Sequence, residues 1–174
     1  HRRLSILDLS SAGRQPFSDA SGQVWLVYNG EVYNYREVRR DLFDRGHRFH
    51  TETDTEVVLA AYLEWGEACL ERFNGMFAFA LWDVRRRRLM LARDRAGIKP
   101  LYYSHTGTTL VFGSELKALL EHPRVERDLD AESLGHYLSF EYVPTPHAIF
   151  RGVRKLRPGH YLIAERDWID EARY

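Results

Sequence analysis

The sequence predicts an α/β layered sandwich, and three observations lead to it. Residues 24–28 and 76–82 are almost wholly apolar, the pattern of strands buried on both faces. Segments with helix-start spacing lie between the strand segments, so helices are at hand to cover the sheets. The 174 residues, 44% of them hydrophobic, suffice for one core and therefore one domain.

The elements follow in order. The strand at 24–28 is bounded by Ser21-Gly22 and by Asn29-Gly30, where a turn is expected to end it. Asn34 with Glu37 three residues on has capping-box spacing; Val38 and Leu42 then share one helix face and Gly46 stands at the C′ position. A second helix opens at Thr53 with Glu56 as its N3 partner, presents Val57, Val58, Ala61, Tyr62 and Trp65, and stops at Gly66. The strand at 76–82 turns through 83–88 and returns over 89–92. Tyr102-Tyr103 and residues 110–112 flank a His105-Thr106-Gly107 turn, a hairpin. A short helix spans 115–120, and Asp130 caps another running to about Leu138. Val143-Pro144-Thr145-Pro146 reads as a rigid crossing loop and 161–164 as a closing strand after Pro158-Gly159.

Composition excludes several roles. Lysine plus arginine equals aspartate plus glutamate at 25 each, so the chain lacks the basic excess of a nucleic-acid binder. Arg85-Arg86-Arg87-Arg88 sits where two apolar strands need a solvated turn and reads as a surface loop. No apolar stretch reaches membrane-span length, so no membrane partner is expected. The single cysteine, Cys69, excludes an internal disulfide and fits a reducing compartment; a cytoplasmic location is expected. Among helix-forming neighbours, Cys69 reads as a small buried side chain rather than a nucleophile. The histidines show no metal-ligand spacing, and His47 and His50 would fall on opposite faces of a strand, so no metal site is expected.

Three places could carry chemistry. Asn29-Gly30 can be a plain turn, or a pair of uncharged donors aimed at a developing oxyanion. Asp54 can complement a helix dipole, or receive a ligand ammonium. Arg3 can be surface charge, or a bidentate carboxylate clamp.

Taken in order, the segments match a family. His1-Arg2-Arg3-Leu4-Ser5-Ile6-Leu7-Asp8, Asn29-Gly30-Glu31-Val32-Tyr33-Asn34, Thr53-Asp54-Thr55-Glu56-Val57 and Phe73-Asn74-Gly75-Met76-Phe77-Ala78-Phe79-Ala80-Leu81-Trp82-Asp83 open the match. Arg93-Asp94-Arg95-Ala96-Gly97-Ile98-Lys99-Pro100-Leu101-Tyr102-Tyr103, Ser114-Glu115-Leu116-Lys117-Ala118-Leu119, Tyr142-Val143-Pro144-Thr145-Pro146 and Lys155-Leu156-Arg157-Pro158-Gly159-His160-Tyr161-Leu162 continue it. Over nearly the whole chain this resembles the class II glutaminase domain of glutamine-hydrolysing asparagine synthetases. The resemblance implies an N-terminal-nucleophile hydrolase fold, a four-layer αββα sandwich with two antiparallel sheets. It implies a glutaminase domain over 1–165, and 166–174 as the start of a linker to a C-terminal synthetase domain that uses ATP and Mg2+; the glutaminase domain itself needs no cofactor.

The same resemblance assigns roles. Arg3 would clamp the α-carboxylate of L-glutamine, with Leu4 to Leu7 as adjoining wall. Asn29 and Gly30 would form the oxyanion hole, Glu31 would hold the amino end, and Asp54 would take the α-ammonium. The nucleophile of such domains is an N-terminal cysteine, which forms a thioester and is absent from these residues. Without that cysteine the chain as given is expected not to hydrolyse glutamine; and since an apolar run begins almost at His1 while 168–174 stops in a mixed apolar and charged stretch without a stop signal, both ends read as cut from a longer protein. The resemblance leaves a homodimer open. Two other functions also stay open: a glutaminase serving a different acceptor, and a degenerate scaffold domain.

Overall fold

The computed structural model describes residues 14–166 and 168–174, so Arg3, Leu4 and Leu7 lie outside the described residues. A six-stranded sheet has the order β1-β2-β3-β4-β8-β9, built from Phe17–Ser18, Val24–Val32, Gly75–Asp83, Arg88–Arg93, His160–Glu165 and Trp168–Arg173. A three-stranded sheet has the order β6-β5-β7, from Thr109–Gly113, Tyr102–Thr106 and Val153–Lys155. Every strand pairing in both sheets is antiparallel.

The alternation of β3 shows how the layers stack. Phe77, Phe79 and Leu81 point to one face and join Val38 and Leu42 of α1 (Tyr35–Asp44) with Val57, Val58 and Ala61 of α2 (Asp54–Trp65). Ala78 and Ala80 point to the other face and meet Leu101, Tyr103 and Leu156 of the small sheet and its approach. A third cluster, Leu119, Val125, Ala148 and Val153, packs with Leu116 outside the small sheet, where α3 (Leu116–Leu119) sits. The result is helices, large sheet, small sheet, helices: the layered sandwich that the apolar strands predict.

Local signals explain α2 best. The Thr53 side chain accepts from Glu56 N–H, as the cap spacing predicts. The Glu56 carboxylate reaches further back, accepting from His50 and Thr51 N–H and from the Thr51 hydroxyl. Residues 54–62 are all buried, so tertiary packing rather than a simple amphipathic stripe holds this helix. Both predicted hairpins form: β3 with β4, and β5 with β6. Asp130 caps α4 (Ala131–Phe140) by accepting from Ser133 N–H. No helix of the described residues is long and apolar enough to cross a membrane.

Four sequence expectations need correction. Asn29-Gly30 does not end its strand: β2 runs on to Val32, because Gly30 lies against Phe77 of β3 at a distance only a residue without Cβ allows. Asn34 precedes α1 but makes no side-chain cap; its amide donates to Arg72 O and its oxygen accepts from Asn74 N–H, tying α1 to the loop before β3. Trp168–Arg173, expected to open a linker, is β9, hydrogen-bonded along the whole of β8, and Tyr174 O–H donates to Arg93 O. Of the arginine run, Arg85 to Arg87 are exposed in the turn, but Arg88 lies in β4 and pairs with Glu67 and Glu165.

Asp94 organises the segment that leads into the small sheet. It is fully buried and accepts from Ala96 and Ile98 N–H on one oxygen and from Lys99 and Phe77 N–H on the other. Beside it, the Arg93 guanidinium donates to the carbonyls of Gly97, Lys99 and Leu156. Asp94→Asn replaces two acceptor sites with an N–H2 facing N–H donors. It should cost about 2–4 kcal/mol of unfolding free energy, read from urea denaturation.

Candidate active site along the edge of β2

The site begins with a strand edge. β1 pairs only with Trp25 and Leu26, so beyond Val27 the side of β2 away from β3 has no strand partner among the described residues. Tyr28 N–H leaves on that side and donates to Gln15 Oε1 at 2.6 Å; Val32 N–H leaves likewise and donates to Asp54 Oδ2 at 3.0 Å. Strand alternation directs Gly30 N–H, midway between them, to the same side. Phe77 agrees with this register: directly opposite Gly30, its own N–H and C=O bond away from β2, to Asp94.

A cleft of about 700 Å³ opens along this edge. Asn29, Gly30, Glu31 and Asp54 all line it, so the structure brings together the four described residues that sequence reading singled out. Asn29 is exposed on the sheet face that looks toward the small sheet. Across from it stand Lys99 and Leu101, and Ser114 and Glu115 at the start of α3. Val27, Ala78 and Ala80 contribute apolar surface between these polar groups.

Asp54 is buried at the first turn of α2, where the positive end of the helix dipole favours a carboxylate. Its Oδ2 accepts from the Tyr28 hydroxyl at 2.7 Å and from Val32 N–H. Among the described residues no hydrogen bond reaches Oδ1. Burial, followed by the adjacent Asp54 charge, holds the Tyr28 phenol well above the usual range, so it stays a donor. Chemically the cleft offers uncharged donors at Asn29 and Gly30, and a carboxylate a short way along the same edge. An oxyanion and an ammonium on one ligand would both be served.

Sequence reading missed Tyr28, Gln15, Lys99, Ser114 and Glu115. Tyr28 carried a usable signal, being two residues before Gly30 and so sharing its N–H direction. The contact with Asp54 joins residues 26 apart and had no local sign. Cys69 lies on a 3-10 turn (Gly66–Arg72) in the helix-side core, fully buried, and burial pushes its thiol up, away from thiolate chemistry. Another cavity of about 590 Å³, bordered by Arg151, Arg154 and Arg157, is lined by none of the four described site residues Asn29, Gly30, Glu31 and Asp54.

Gly30 is required by contact as well as by conformation. A Cβ there would lie 2.2 Å from Met76 O and 2.6 Å from Phe77 Cα, at a φ of +152°. Gly46→Ala, with nothing within 4 Å, meets only backbone strain at φ +101°. Thermal or urea unfolding should show Gly30→Ala costing about 2–4 kcal/mol and Gly46→Ala about 1 kcal/mol.

Comparison with known proteins agrees with this geometry. A family model described as a glutamine amidotransferase domain matches residues 1–174. The chain is 41% identical over 177 residues to asparagine synthetase [glutamine-hydrolyzing] 3 of Bacillus subtilis (strain 168), covering all of this chain and 29% of that protein. It is 42% identical over 163 residues to amidase chry2 of Gibberella zeae, covering 94% of this chain and 24% of that protein. The chain thus spans under a third of the length of these relatives. Among solved structures, the glutamine phosphoribosylpyrophosphate amidotransferase of B. subtilis superposes with a TM-score of 0.59 at 22% identity, over 91% of this chain and 31% of that one, a likeness of fold. Two antiparallel sheets between helices, in that fold and under that full-length match, make this chain a member of the class II glutamine amidotransferase domain family.

Proposed function

We propose that this domain binds L-glutamine in the cleft along β2 and contributes the hydrolysis of its side-chain amide, supplying ammonia to an ATP- and Mg2+-dependent C-terminal synthetase domain that converts aspartate to asparagine. The observation that carries the reading is the grouping of Asn29, Gly30, Glu31 and Asp54 along one cleft. Glutamine is a zwitterion at its α end and neutral at its reacting end. A cleft with a carboxylate at one place and uncharged donors at another divides in the same way.

In this reading Asp54 Oδ1 and Glu31 receive the α-ammonium, and Arg3 receives the α-carboxylate. The side-chain carbonyl then lies by Asn29 and Gly30. The thiolate of the family's N-terminal cysteine attacks it, with that cysteine's own α-amine as base. The Asn29 amide and Gly30 N–H donate to the oxygen as it gains negative charge. Ammonia leaves, and water releases glutamate from the thioester. Cys69 has no part, being sealed in the core without a free amine.

The acceptor has a second reading, a carboxylate other than aspartate. Relatives of similar identity carry different names, asparagine synthetase and amidase, so the front domain alone does not fix the product. A degenerate scaffold is disfavoured, because a domain released from binding glutamine has no need to keep Asn29, Gly30 and Asp54 along one edge.

The roles separate kinetically in a protein carrying this domain behind an N-terminal cysteine. Asp54→Asn removes a charge-assisted contact remote from the broken bond and should raise KM for glutamine by about one to two orders of magnitude with little change in kcat. Asn29→Ala removes a donor used only in the tetrahedral state and should lower kcat by about 10²–10³. Cys69→Ala should leave both constants near their starting values. Steady-state ammonia release measures all three. The reading fails if Asn29→Ala moves only KM, or if Asp54→Asn leaves KM where it was.

A further inference from the structure

Asp54 can point one oxygen at a ligand only if its other oxygen is held. Two donors hold Oδ2: the backbone N–H of Val32 at 3.0 Å and the hydroxyl of Tyr28 at 2.7 Å. They reach it from the same strand, four residues apart and on either side of Gly30. Tyr28 is 5% exposed and its ring belongs to the helix-side core, so the phenol is fixed in place by packing. Tyr28 N–H is also engaged, by Gln15 Oε1, which pins the backbone that carries the ring. The Tyr28 hydroxyl therefore links the strand bearing the oxyanion donors to the helix bearing the ammonium acceptor. Resting on the glutamine-binding reading above, we propose that Tyr28 is a positioning residue for substrate selection: it fixes the Asp54 carboxylate so that Oδ1 receives the ligand's α-ammonium. It acts through Asp54, with no contact of its own to the reacting atoms.

This role differs from that of an ordinary buried tyrosine. If Tyr28 only supported the fold, its loss would weaken every ligand of the cleft alike. If it orients Asp54, its loss weakens only ligands that carry an α-ammonium. Glutaramate (4-carbamoylbutanoate) is glutamine without that group, and it keeps the amide and the carboxylate. The pair of ligands thus isolates the contact in question.

The experiment is equilibrium binding of L-glutamine and of glutaramate to the chain by calorimetry, before and after Tyr28→Phe. The substitution removes one oxygen and keeps the ring. The unmodified chain should prefer glutamine, and Tyr28→Phe should cut that preference by roughly three- to ten-fold while leaving glutaramate binding unchanged. In an Asp54→Asn background Tyr28→Phe should have almost no further effect on the preference. A parallel measurement needs no variant. The buried Tyr28 hydroxyl proton, donated to a carboxylate, should give a downfield proton resonance that glutamine shifts and glutaramate leaves in place. Equal weakening of both ligands by Tyr28→Phe, or a hydroxyl signal that responds to both alike, overturns the positioning role and leaves the glutamine reading standing. Failure of the unmodified chain to prefer glutamine over glutaramate overturns both.

Discussion

β2 and β3 run side by side along nine residues of β2, from Val24 opposite Asp83 to Val32 opposite Gly75. This pairing closes to a distance that forbids a side chain at two places. A Cβ at Gly30 would meet Met76 O, and one at Gly75 would meet Glu31 O, each at 2.2 Å. Much of the site follows from that constraint. Because β2 continues through Asn29-Gly30 as a strand, alternation sends Gly30 N–H out along the edge away from β3 and puts the Asn29 side chain on the face toward the small sheet. A turn at the same two residues would have scattered these donors. The rigidity of a central strand pair is what allows uncharged donors to be aimed without being reorganised later.

Three buried carboxylates then fit the surrounding loops to this frame. Asp94 gathers four backbone N–H groups and sets the segment that brings Lys99 and Leu101 to the cleft. Glu56 gathers the N–H groups of His50 and Thr51 and fixes the chain entering α2. Among the described residues, Asp54 takes donors on one oxygen only. A buried carboxylate is costly unless its lone pairs are occupied. Asp94 and Glu56 use both oxygens on the fold, whereas the described residues engage only Oδ2 of Asp54. That difference in occupancy sets Asp54, which lines the cleft, apart from the two loop-organising carboxylates on the same scaffold.

Much of this was legible in the sequence where the controlling interactions are local. The almost wholly apolar run of 76–82 announced β3, Thr53 with Glu56 announced the start of α2, and Asp130 announced α4. The order of the motifs also carried the residues of the cleft. The misreadings share a cause, which is contact between distant parts of the chain. Asn34 looks like a cap until Asn74, forty residues away, is placed beside it. Asn29-Gly30 looks like a turn until Phe77 is placed against it. Residues 166–174 look like the start of a linker until β8 supplies a partner strand for 168–173. Tyr28 looked like core, and it is core; its hydroxyl gains a second meaning only once the N-terminus of α2 is packed over the end of β2.

The proposal places glutamine along the edge of β2 that faces away from β3. Backbone amide resonances of the chain, followed through a titration with L-glutamine, test it most directly. Saturable shifts should concentrate at Gly30, Glu31, Val32, Asp54 and Thr55, with the amides of Arg151 and Arg154 at the other cavity left in place. Shifts centred on that second cavity, or no saturable change at Gly30 and Asp54, would contradict it.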